Sequence, residues 1–152
     1  MILFVCTGNT CRSPLAAALA RAHGVDAGSA GLAAFPGDPA TPQAIRAAER
    51  HGADLTAHRA QRVNSELVNR AETIYVMTPG HRDALNARFP EAAGRVRVLS
   101  PAVPDPYGGG DAVYEACVQR LMEAMKRAGI LQGVFPEKCF QIQKENGNIR
   151  RI

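Results

Sequence analysis

Short apolar or β-branched runs that alternate with helix-favouring stretches predict an α/β protein, a parallel sheet covered on both faces by helices. The run MILFV (Met1 to Val5) breaks into a Gly-containing loop and then an Ala/Leu-rich stretch, which reads as strand, loop, helix. TIYVM (Thr73 to Met77) and RVRVL (Arg95 to Leu99) are strands by composition, each set between helical segments. In such folds ligands gather at the carboxyl ends of the strands.

The elements follow in order. Pro14 to His23 has good helix propensity, with Ser13 at the N-cap position, Pro14 at the first helical position and Gly24 as the stop. Val25 to Leu32 is a second strand, weakened by Asp26, Gly28 and Gly31. Phe35 to Pro42 is a loop, and Thr41-Pro42 opens a helix that runs to about His51 before Gly52. Ser65 to Arg70 and Pro79 to Phe89 are further helices. Asp111 to Ala128 is a long amphipathic helix with Val113, Cys117, Leu121 and Met125 on its apolar face and Asp111 as its cap. Alanine is absent after Ala128, so residues 1–128 read as one domain and 129–152 as a tail of different composition.

Bulk properties narrow the function classes. With 46% hydrophobic and 21% charged residues the chain is globular, and no run approaches the ~20 apolar residues of a membrane span. MILFV lacks a preceding basic region, so it does not read as a signal peptide and a cytoplasmic location is expected. The formal net charge is +4, but half of it lies in the tail, where Lys138, Lys144, Arg150 and Arg151 face Glu137 and Glu145. The mild excess left on an aromatic-poor body does not point to nucleic acid and suits an anionic substrate. Four cysteines (Cys6, Cys11, Cys117 and Cys139) form neither a disulfide framework nor a CxxC pair, and no HExxH spacing exists, so no metal and no cofactor is expected.

The chemistry concentrates in VCTGNTCRSP, Val5 to Pro14. A tight loop between a strand and a helix N-terminus turns several amide N–H groups toward one point, and the helix dipole adds positive potential. No GxxxxGK is present, so this is not a nucleotide P-loop of the Walker type. Cys6 stands at its mouth, where amide donors, the helix N-terminus and Arg12 all favour a thiolate. A thiolate beneath an anion cradle is a nucleophile aimed at phosphorus. Arg12 holds two equatorial oxygens with its planar fork, and Ser13 donates its hydroxyl to the sulfur as it leaves.

Cys6, five intervening residues and Arg12-Ser13 directly after the first strand resemble the low-molecular-weight protein tyrosine phosphatase family, whose loop reads CxGNxCRSP. Asp105-Pro106-Tyr107, Ser29-Ala30-Gly31 and the AHRAQ segment from Ala57 to Gln61 also fit that pattern, so the resemblance covers residues 1 to about 128. It implies four parallel strands in the order 2-1-3-4 with a phosphatase P-loop after strand 1. It further implies Cys6 as nucleophile, Arg12 as transition-state stabiliser and Asp105 as the acid and then the base of a cysteinyl-phosphate mechanism. Thr7, Gly8, Asn9, Thr10, Cys11 and Ser13 bind the phosphate in this reading, and Tyr107 forms part of the cleft wall. Asn9, Ser13, Ser29 and His58 match positions that brace the loop. Phosphorylated proteins are the implied partners, with a monomeric chain.

Many members carry an aliphatic residue, often Ile, where this chain has Thr10. CTGNTCRSP, Met77-Thr78-Pro79 and Asp105-Pro106-Tyr107-Gly108-Gly109 are more similar to the bacterial protein arginine phosphatase branch. A hydroxyl there can pair with the polar N–H groups of a phosphoarginine, and an unpaired polar group costs ~1–3 kcal/mol. The alternative is a protein tyrosine phosphatase. An arsenate reductase needs relay cysteines that residues 12 to 116 lack, and a silent phosphate-binding module does not need Asp105. Cys11 is either a small loop residue or the partner of Cys6 in a reversible disulfide. Cys117, Tyr75 and Tyr114 read as packing residues, and His23, His51 and His81 as helix-end or surface histidines. Phe35 reads as a loop anchor ahead of a cleft wall, and Asp83 and Asp111 offer acidic surface without a defined place.

Overall fold

The structure is a computed structural model that describes residues 1–131. Its four strands are β1 (Ile2–Cys6), β2 (Ala27–Gly31), β3 (Thr73–Val76) and β4 (Val96–Val98), all parallel in the order β2-β1-β3-β4. The five helices are α1 (Arg12–Ala22), α2 (Pro42–Arg50), α3 (Ser65–Arg70), α4 (Pro79–Arg88) and α5 (Asp111–Arg127), with a 3-10 turn at Pro90–Arg95. Connections leave β1 toward β2 on one side and β3 toward β4 on the other, so the strand order reverses between β1 and β3. That is the switch point at which such sheets bind ligands.

Alternation along β1 builds two cores. Phe4 and Cys6 face α1 and α5, together with Met77 and Leu99, whereas Leu3 and Val5 face Val68 of α3 and Leu85 of α4. Every residue of α1 from Arg12 to Ala20 is buried, because this Ala-rich helix is enclosed by the sheet and by α5 and α2. A helix that is apolar on all sides belongs in such a place. Leu15, Leu19 and Leu121 are fully buried, each contributing about 1.5–3 kcal/mol of transfer free energy. The core continues through Ile130 and Leu131, past residue 128. Cys139 and the charged residues of the tail lie outside the described residues.

Three local expectations change. Helix α1 begins at Arg12 with Cys11 at its N-cap, so Ser13 is inside the first turn and does not cap. Pro14 is tolerated there because the first turn needs no N–H donor. Helix α5 is capped at Gly110, and Asp111 instead pairs with Arg46 of α2 at 2.9 Å. Val113 is 48% exposed, since the buried stripe of α5 runs through Tyr114, Cys117, Val118, Leu121 and Met125. Thr41 caps α2 through its hydroxyl, as its position before Pro42 suggests.

Candidate active site

The loop from Cys6 to Cys11 is held from outside by its carbonyls. Those of Cys6, Thr7 and Thr10 accept from the backbone N–H groups of Leu32, Ala33 and Thr41 at 2.9, 2.9 and 3.1 Å. The carbonyl of Asn9 accepts from His58 Nε2 at 2.7 Å. A trans peptide points its N–H opposite its C=O, so four outward carbonyls turn the amides of Thr7, Gly8, Thr10 and Cys11 into the concave side. The cradle exists because its back is fully bonded.

Asn9 is the pivot. It adopts φ 57°, a left-handed conformation that asparagine tolerates better than most residues. Its side-chain amide donates to Ser13 Oγ at 2.8 Å and Ser29 Oγ at 2.9 Å, and its Oδ1 accepts from the backbone N–H of Gln61 at 3.0 Å. Gly31 closes the fit: a Cβ there would lie 2.6 Å from the Thr7 carbonyl, so the SAG segment needs its glycine for close approach.

Cys6 Sγ lies 2.9 Å from Ser13 Oγ. The serine oxygen already accepts from Asn9, and its own proton has the sulfur as a nearer acceptor than the Ala30 carbonyl at 3.4 Å. Against a thiolate, Ser13 is therefore the donor. Arg12 is 5% exposed, donates to the Val103 carbonyl at 3.1 Å and stands 3.8 Å from Asp105 Oδ2. Asp105 is in turn oriented by the Tyr107 N–H at 3.0 Å from its Oδ1, an Asx turn that leaves the carboxylate half exposed.

These groups meet in one cleft of about 340 Å³, lined by the whole loop from Cys6 to Arg12 together with Asp105 and Tyr107. Ser29 and His58 lie behind it, bonded to Asn9. Phe35, 72% exposed, lines the cleft too and is a wall, not a buried anchor. Ala33 and Asp38 complete that rim, and sequence reasoning missed both. Among the described residues no cluster of three or more His, Cys, Asp or Glu could hold a metal ion.

Two further residues differ from their sequence reading. Tyr114 is buried, as a packing residue should be, but its hydroxyl also lies 3.2 Å from Cys11 Sγ and accepts from Thr41 Oγ1 at 3.2 Å. Burial and the Cys11 contact push its pKa above the usual tyrosine value, so it stays a neutral phenol under the loop. His81 is 9% exposed rather than a surface histidine, with Nε2 at 2.9 Å from Thr7 Oγ1. The signal that could have found His81 is its place just after β3, at the switch point. Burial lowers the pKa of His58, with the bond to the Asn9 carbonyl opposing. Cys117 is buried, its thiol pushed up to about 12 by burial. Cys11 is a free thiol, as is Cys6. His23 bonds the Leu19 carbonyl, His51 bonds Glu115, and Asp83 pairs with Arg82 on the surface.

Comparison with known proteins agrees with this geometry. The family model for low molecular weight phosphotyrosine protein phosphatases matches residues 1–134. A probable low molecular weight protein-tyrosine-phosphatase, EpsP of Ralstonia solanacearum, is 41% identical over 81% of this chain and 91% of its own. A protein-arginine-phosphatase of Geobacillus stearothermophilus is 39% identical over 83% of this chain and 91% of its own. Among solved structures, the YwlE arginine phosphatase from that organism superposes with a TM-score of 0.80 at 36% identity, covering 95% of each chain. Vibrio vulnificus Wzb in complex with benzylphosphonate superposes with a TM-score of 0.79 at 31% identity, over 83% of this chain and 94% of that one. With its loop, sheet order and matched length, the chain belongs to the low molecular weight phosphotyrosine protein phosphatase family and is a cysteine-based phosphatase.

Proposed function

We propose that the chain is a protein arginine phosphatase acting through a cysteinyl-phosphate. In the first step the Cys6 thiolate attacks phosphorus in line, the P–N bond to the guanidinium breaks, and Asp105 protonates the departing nitrogen. Arg12 and the loop amides of Thr7, Gly8, Thr10 and Cys11 carry the charge on the equatorial oxygens. In the second step water attacks phosphorus, Asp105 takes its proton, the S–P bond breaks and the thiolate returns to the Ser13 hydroxyl. Asn9, Ser29 and His58 keep the cradle in shape. No metal or cofactor enters either step.

The observation that carries the substrate assignment is Thr10. Thr10 is among the residues that line the cleft, so the loop brings a hydroxyl-bearing residue to the site where many members of the family carry an aliphatic one. A phosphoarginine brings N–H donors there, and a hydroxyl can accept from them. Resemblance to relatives named protein-arginine-phosphatase supports this reading. The second reading is a tyrosine phosphatase, favoured by Phe35 and Tyr107. Both are strongly exposed and line the same cleft, as walls for a phenyl ring would.

Steady-state kinetics on paired phosphoarginine and phosphotyrosine peptides separate the two. The wild type is expected to favour phosphoarginine in kcat/KM by roughly 10- to 100-fold, and Thr10→Ile to shrink that preference. A wild type that favours phosphotyrosine, with little change in Thr10→Ile, replaces the arginine reading with the tyrosine one.

A further inference from the structure

Between the phosphate loop and α4 lies a contact that the two-step chemistry does not use. His81 occupies the third position of α4, just past the carboxyl end of β3, and is nine-tenths buried. Its backbone is pinned by donation to Thr78 Oγ1 at 3.2 Å, and its ring by Nε2 at 2.9 Å from Oγ1 of Thr7, the residue after the nucleophile. Nδ1 is buried and has no hydrogen-bond partner among the described residues.

A neutral imidazole carries one N–H and one lone pair, so its two tautomers give Thr7 different roles. With the proton on Nε2, the ring donates to Thr7 Oγ1 and the threonine's own proton stays available to the cleft, which Thr7 lines. With the proton on Nδ1, Nε2 accepts the Thr7 proton instead. The threonine oxygen then offers only lone pairs to an anionic ligand, and a buried N–H is left unpaired in the field of Arg12. Both consequences are unfavourable; Nδ1 is unpaired in either tautomer, and the positive field of Arg12 suits a lone pair there better than an N–H. Arg12 and Asp105 are the charged groups that act on this ring. Burial and Arg12 lower the His81 pKa and Asp105 opposes them, so the neutral form prevails at neutral pH.

We propose that His81 is a positioning residue that donates from Nε2 to Thr7 and thereby commits the Thr7 hydroxyl to a phosphoryl oxygen of the substrate. This rests on the reading of the loop as a phosphate site and is independent of the arginine or tyrosine assignment. His58 and His81 then divide the work. His58 holds the loop's main chain at Asn9, whereas His81 acts through a side chain that meets the ligand. Removing His81 should therefore weaken phosphate recognition through Thr7 and leave the rest of the cradle intact.

The experiment measures competitive inhibition by inorganic phosphate and kcat/KM on an aryl phosphate for wild type, Thr7→Val, His81→Leu, the double variant and His81→Gln. Each single removal is expected to weaken both quantities about tenfold, with the double variant no worse than the worse single. His81→Gln, whose amide N–H can reach Thr7, should recover most of the loss. In the wild type, ¹⁵N spectra should show the His81 proton on Nε2. The proposal is overturned by a proton on Nδ1, by a Thr7→Val variant that binds phosphate normally, by losses that multiply in the double variant, or by His81→Gln as impaired as His81→Leu. If His81→Leu does not fold, Thr7→Val and the wild-type spectra decide. A wild type that binds no phosphate overturns the phosphate-site reading as well, whereas normal binding unaffected by Thr7→Val overturns the His81 role alone.

Discussion

In the loop after β1, Asn9 makes three side-chain hydrogen bonds, four carbonyls are bonded from outside, and Ser13, Arg12 and Cys6 are buried. In the loop after β4, Asp105 and Tyr107 project into solvent, and the carboxylate is steered by one backbone N–H and by Arg12. The two loops face the same cleft, yet one is braced and the other stands open. Transition-state charge calls for donors fixed in advance, because reorganising them would cost part of their effect. A proton donor must instead reach a leaving group and later a water, so it is served by access. On the proposed mechanism the difference gives stability to the first loop and turnover to the second.

Asp105→Asn gives the largest effect on rate. It is expected to lower kcat by about 10²- to 10³-fold while moving Tm by no more than about 1 °C, as thermal melts beside single-turnover kinetics would show. Asn9→Ala should act on both counts. It removes three hydrogen bonds and leaves alanine in a left-handed conformation, so urea titration should record a loss of ~2–4 kcal/mol along with impaired activity. Equal destabilisation by the two variants would erase the contrast between the loops.

The smallest effect concerns pH. His58 and His81 both have lowered pKa values, so the fold prefers their neutral rings. Their contribution to stability is present above 6.5, the ordinary histidine value, and is lost as pH falls below it. Away from the cleft, Glu115 of α5 is lowered from 4.5 to about 2. Burial opposes that shift and is outweighed by bonds to Gln119, His51 and Arg50. Its contribution is present above pH 4.5 and lost between there and pH 2. Glu115→Gln should flatten the stability profile below pH 4.5 and leave the histidine limb in place, at a cost under about 1 kcal/mol at pH 7 because the group is partly solvated. A histidine limb that vanished with Glu115→Gln would tie acid sensitivity to the α2–α5 contact instead of the loop.

Local signals account for what was legible in advance. Strand β3 follows from TIYVM, α2 from Thr41-Pro42, and the stop of α1 from Gly24, which has φ 82°. The loop motif brought Cys6, Arg12 and Ser13 together because spacing within one turn of chain needs no long-range information. Ser13 carries the local signature of a cap without being one, because a serine before proline reads the same whether its hydroxyl turns to the helix or to a thiol 2.9 Å away. Asp111 behaves likewise, since its partner Arg46 is 65 residues distant in the chain.

By itself the sequence determined the alternation of strands and helices and the loop that carries Cys6, Arg12 and Ser13, all encoded in contiguous residues and their backbone preferences. Tertiary structure alone decided that His81 reaches Thr7, that Tyr114 lies beneath Cys11, and that Phe35 and Asp38 share a rim with Tyr107. The physical reason is common to these cases. A histidine or tyrosine on a helix has the same local chemistry in a core or against an active site, and only packing against residues far along the chain chooses between them.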